Sequence, residues 1–165
     1  MIDNYGKANL ADLHLFANFE IMQRPDSIRF FYQAPGVNLR ERTRLKSFIQ
    51  NIFKREGRKL EGLNYIFCSD KELLKINQQY LKHNDYTDII TFDLSEDPRA
   101  ILGEIYISID RIRDNAKRQG NPIRSELHRV IFHGVLHLCG YKDKTRKEIQ
   151  EIRKMEDHYL SLFLK

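Results

Sequence analysis

Near the end of this 165-residue chain stands the run His133-Gly134-Val135-Leu136-His137-Leu138-Cys139-Gly140-Tyr141-Lys142-Asp143. Its polar skeleton is His-x-x-x-His-x-x-Gly-x-x-Asp. Two histidines at i and i+4 lie one turn apart on the same face of a helix. Gly140 can take the left-handed conformation that ends a helix, so the chain folds back and Asp143 comes within reach. Two imidazoles and a carboxylate make an N/N/O site with an open fourth position, the form of a catalytic rather than a structural zinc site. Zinc is the expected metal, and nickel, cobalt or iron suit the same donors. The spacing is that of the metzincin proteases with one change: where they carry a Glu as general base, this chain has Gly134. Cys139, two residues after His137, points to another face of the helix and reads as core, and His128 also points away.

A second polar cluster covers residues 77–92. Lys82 and His83 are candidates to meet a phosphate, and Tyr80 or Tyr86 to stack a base. The competing reading is an ordinary helix end and turn, with Thr87 and Asp88 hydrogen-bonding the loop backbone. Glu104, in the middle of an apolar run, is a candidate general base or a carboxylate supporting a ligand.

These residues need elements to position them. Residues 28–33 read as a strand, and Asn38 as the cap of a helix whose apolar stripe is stopped by Gly57. Residues 63–68 alternate as a strand. Ser69-x-x-Glu72 is a capping box that opens a helix through Leu81. Residues 89–93 and 101–108 are β-branched runs around a turn, and a short helix follows to Gly120. Pro122 is expected at the first position of the long, mostly apolar helix that carries the histidines. Thr145-x-x-Glu148 is a second capping box, starting the final amphipathic helix. The order β-α-β-α-β-β-α-α-α predicts a single α+β domain: a four-stranded mixed sheet packed with about five helices, the metal site at the C-terminal end of a central helix. Residues 1–27 read as a loosely ordered N-terminal extension, with Met22 an alternative start, and residues 28–165 as the working domain.

Composition sets the class. Hydrophobic residues make up 41% and charged residues 31%, ordinary for a soluble globular protein. No apolar run approaches about 18 residues, so no membrane span is expected, and the first residues lack the basic start of a signal peptide. Two cysteines make no disulfide framework, which points to a reducing cytoplasm. The net charge is +5, with the basic residues concentrated in 39–62 and 111–165 and the acidic ones in 63–110. That separation points to a polyanionic partner, RNA or DNA, unless the cations only solvate helix faces.

Three blocks, residues 77–92, 102–108 and 133–143, together resemble the YbeY family, single-strand-specific metallo-endoribonucleases of bacterial ribosomal RNA maturation. The likeness covers about residues 28–165. The family's metal motif, His-Gly-x-Leu-His-Leu-x-Gly-Tyr-Asp-His, matches here through Tyr141. Lys142 and Asp143 then replace its last Asp and His, Leu81 its Arg after the Tyr, and Asn84 and Tyr86 its Asp and Pro. The resemblance implies a zinc-dependent hydrolase of RNA phosphodiesters acting in 16S rRNA 3′ end maturation and ribosome quality control, with one zinc on His133, His137 and Asp143. Asp88 and Glu104 become the candidate proton acceptors. Lys82, His83, Arg124 and Arg129 become the candidates to track the RNA backbone. Ribosomal RNA is the implied partner, with ribosomal proteins or an assembly GTPase as further ones. Two other classes compete. One is a metzincin-like protease, which the loss of the Glu argues against. The other is a non-catalytic RNA-binding assembly factor with a structural zinc.

Overall fold

In the computed structural model, residues 5–7, 27–37, 39–97 and 99–165 are described. They form β1 (Tyr5–Lys7), β2 (Ile28–Tyr32), α1 (Arg42–Arg55), β3 (Lys59–Cys68), α2 (Asp70–Ile76) and then a π-helical turn at Asn77–Leu81. There follow β4 (Ile89–Asp93), β5 (Ala100–Ser108), α3 (Ile109–Gln119), α4 (Ile123–Leu138) and α5 (Arg146–Phe163). Both capping boxes form: the Ser69 and Thr145 hydroxyls accept from the backbone of Glu72 and Glu148, whose carboxylates accept in return. Each box satisfies two backbone donors that a helix start otherwise leaves unpaired.

Some boundaries differ. Asn38, expected as a cap, lies outside the described residues, and α1 begins at Arg42 behind a left-handed Glu41. Pro122 occupies the N-cap of α4, one residue before the position expected for it. β3 starts at Lys59, with a register irregularity between Leu60 and Gly62.

The sheet runs in the order β1-β4-β5-β3-β2. β2, β3 and β5 are parallel neighbours, β4 pairs with β5 antiparallel, and β1 lies parallel to β4. The expected four strands and five helices are all present. The fifth strand comes from the N-terminal segment; the other residues expected to be loose, Met22 among them, lie outside the described residues apart from Ser27.

Alternation along β3 and β5 sorts side chains to two faces. Leu63, Tyr65, Phe67, Ile105 and Ile107 join the core built with α1, α4 and α5. Ile66, Cys68, Phe92 and Tyr106 join a second cluster with Leu73 and Ile76 of α2. α4 presses hard against the first face. A Cβ at Gly134 would lie 2.8 Å from Ile105 Cδ1 and 3.0 Å from Ile89 Cδ1, so a larger residue would have to displace these side chains.

Candidate metal centre

The end of α4 is built by Gly140. At φ +103° it accepts a conformation costly for other residues, and its N–H donates to the His137 carbonyl while that of Tyr141 donates to Leu136. These paired bonds are a Schellman turn. The turn does more than stop the helix, because it places the Tyr141 carbonyl 3.0 Å from His137 Nδ1. A carbonyl only accepts, so the His137 proton sits on Nδ1. His133 Nδ1 donates to Glu156 Oε1 at 2.7 Å. With both Nδ1 atoms committed, the two Nε2 atoms face each other across 2.8 Å. Opposed lone pairs at that distance require a cation between them, a proton or a metal ion. Asp143 Oδ2 lies 3.8 Å from His137 Nε2, and the donor atoms of His133, His137 and Asp143 all fall within 4.8 Å of one another. Two imidazole nitrogens, each oriented through its other nitrogen, and one carboxylate fit a divalent transition metal.

Electrostatics agree. Burial works against charge on His133, but the Glu156 carboxylate outweighs it and raises its pKa. Burial, then the neighbouring His133, pushes His137 down to about 4. Glu156 is a residue that motif reading misses. It stands on α5 in the buried stripe with Ile152, Tyr159, Leu160 and Phe163, and a carboxylate on an apolar stripe is the signal that could have found it.

A cavity of about 590 Å³ opens beside His133, lined among others by Asp88, Asn115, Glu126, Arg129 and Glu156. Asn115 Nδ2 donates to Asp88 Oδ2 at 3.0 Å. Arg129 pairs with Asp157 at 2.7 Å and with Glu156 at 3.4 Å. Glu126 lies two turns before His133 on the same stripe of α4; burial raises its pKa, and one carboxylate oxygen has no partner among the described residues.

Residues 35–163 match the family model described as Endoribonuclease YbeY. A relative so named in Cytophaga hutchinsonii is 49% identical, covering 84% of this chain and 97% of its own, and one in Flavobacterium psychrophilum is 46% identical over 82% and 96%. The chain belongs to the YbeY endoribonuclease family. The solution structure of TM1509 from Thermotoga maritima, 30% identical, superposes with a TM-score of 0.58 over 82% of this chain and 88% of that one.

The departures from the YbeY pattern now have places. Asp143 sits where the third histidine is expected and turns its carboxylate toward His137. Leu81, in the position of the family's Arg, packs against the second apolar cluster. Lys82 is left-handed and caps the π-helical turn, its Nζ donating to the Gln79 carbonyl at 3.0 Å. His83 holds a buried Nδ1 that has no partner among the described residues. Tyr80 packs edge-on against Phe92 rather than standing free. Cys139 is core, its thiol pushed up to about 12 by burial.

One expectation is corrected, and a second candidate is placed away from the histidines. Glu104 lies on the sheet face opposite α4, accepting from the Tyr106 hydroxyl at 2.8 Å and from Asn64 at 3.2 Å. An even-numbered residue of β5 cannot reach a helix packed on the odd-numbered face. Arg124 is nine residues before His133, half a rotation round α4, and its guanidinium is held by Glu41 at 2.6 Å. Asp88 and Arg129 are the predicted polar residues brought into the histidine cavity.

Proposed function

We propose that this chain is a metal-dependent endoribonuclease of single-stranded RNA, with zinc as the metal and ribosomal RNA as the substrate. The observation that carries the reading is the pair of Nε2 atoms, each fixed by a partner on Nδ1 and aimed at one point beside a polar cavity. His133, His137 and Asp143 would hold the metal. A zinc ion bound there supplies polarisation of a phosphate oxygen and a water of lowered pKa. The chain's own groups supply the rest. Glu156 and the Tyr141 carbonyl hold the imidazoles in register. Asp88, oriented by Asn115, takes the proton from the attacking water. Arg129, whose Nη1 is shared by Asp157 and Glu156, offers its remaining guanidinium donors to the phosphate at the cavity wall.

The protease reading lacks a base, because position 134 faces Ile105 and Ile89 instead of the cavity. One observation favours a weaker or non-catalytic assembly role: Leu81 offers no charge where the family carries Arg. Among the described residues no helix is long and apolar enough to cross a membrane; a cytoplasmic location is part of the proposal. The test is cleavage of a labelled single-stranded RNA by wild type, His133→Ala, Asp143→Ala and Asp88→Asn purified in parallel. Only wild type should cut well, with Asp88→Asn slower by about 10²–10⁴. Equal cutting by all four, or by none, moves the function to RNA binding without chemistry.

A further inference from the structure

Two residues before Asp88, Tyr86 keeps 52% of its surface exposed. Its ring is not isolated. The guanidinium carbon of Arg111 stands 4.8 Å over the ring centroid. Arg111 is itself fixed, since its Nε and Nη2 both lie 2.8 Å from Asp70 Oδ2. The Ser108 hydroxyl donates to the same Asp70, and the Ser108 N–H donates to the Asp88 carbonyl at 2.9 Å. The loop that bears Tyr86, the end of β5 and the starts of α2 and α3 are therefore tied into one unit.

We infer that Tyr86, backed by Arg111, is a stacking platform for one unpaired nucleobase of the RNA whose backbone enters the His133 cavity. This deepens the proposed function and rests on RNA being the substrate. A cation over one face of an aromatic ring leaves the other face as a flat, polarised surface, which suits a base. Stacking of this kind accepts any base but requires it to be unpaired, so it selects single strands without reading sequence. The path to the cavity is also built. Arg111, Asn115 and Arg118 fall at i, i+4 and i+7, one face of α3. Asn115 hydrogen-bonds both Asp88 and Arg118, so Arg111 and Arg118 stand on either side of the residue that reaches the cavity wall. The position is Pro in the family pattern, so the platform is not part of that pattern.

The chain contains no tryptophan, so Tyr86→Trp introduces a single reporter at the platform. The probe is a phosphorothioate oligoadenylate of about a dozen nucleotides, which resists hydrolysis, titrated into the metal-loaded protein. Tyr86→Trp should bind as wild type does and lose fluorescence as the base stacks. Tyr86→Phe should also bind normally, and Tyr86→Ala about tenfold more weakly, with an unchanged melting temperature because the side chain is exposed. Tyr86→Ala binding as tightly as wild type, or an unquenched Tyr86→Trp, overturns the platform while wild-type cleavage, measured alongside, stands. A wild type that neither binds nor cuts RNA removes both readings.

Discussion

At the scale of single residues, the centre depends on atoms that do not touch the metal. Glu156 fixes the tautomer and the angle of His133, so Glu156→Gln should weaken zinc binding by about 10- to 100-fold, read by competition with a chromophoric chelator. An unchanged affinity would mean that packing alone orients the ring. His128 plays the opposite part. It is buried against Phe163, with ring centroids 4.8 Å apart, and burial lowers its pKa, the Arg124 carbonyl on Nδ1 opposing. A base depressed in the folded state binds protons more readily when unfolded. Its contribution to stability is thus whole above its ordinary pKa of 6.5 and is lost as the pH falls below that value. Urea unfolding of His128→Gln at about pH 8 and about pH 5.5 should show a smaller acid loss than wild type; an equal loss assigns the effect to other groups.

At the scale of elements, α4 lies close against the sheet at Gly134. Gly134→Ala inserts a methyl where Ile105 and Ile89 already stand, and overpacking of this kind costs about 1–3 kcal/mol. Chemical denaturation should show that loss; a neutral result would mean that the two isoleucine side chains rotate away freely. The same element shows what the sequence makes legible. The i, i+4 histidines, the ending Gly140 and the carboxylate three residues on are local relations, and local geometry follows from spacing. Both capping boxes were equally readable. What spacing does not carry is which strand face meets which helix. Glu104 looks as plausible as Asp88 along the chain, and only the period of β5 relative to α4 separates them. Glu156, 23 residues from His133, arrives through the packing of α5 on α4, a long-range event with no local signature beyond a carboxylate in an apolar stripe. The three-residue strand β1 is too short and too far from β4 in sequence to be read as its partner.

At the scale of the whole molecule, the 28 basic side chains behind the net charge of +5 are not all free to meet a nucleic acid. Arg111, Arg124 and Arg129 are each engaged by carboxylates of Asp70, Glu41, and Asp157 with Glu156. Binding of single-stranded RNA should therefore weaken with salt along a slope of about −2 in log affinity against log salt, the value for roughly three phosphates. A slope near zero would argue against backbone contact, and a much steeper one would mean that those ion pairs open on binding. The closeness of α4 to the sheet also bears on ancestry and redesign. A peptide hydrolase with this metal-binding spacing carries a glutamate at position 134 and a histidine at position 143, where this chain has Gly134 and Asp143. In the folded chain a glutamate side chain at that position would start against Ile105 and Ile89, between the helix and its strands, and not in the cavity where a base is needed. The two chemistries are thus separated by the direction position 134 faces, and restoring the carboxylate alone would not put a base beside the metal.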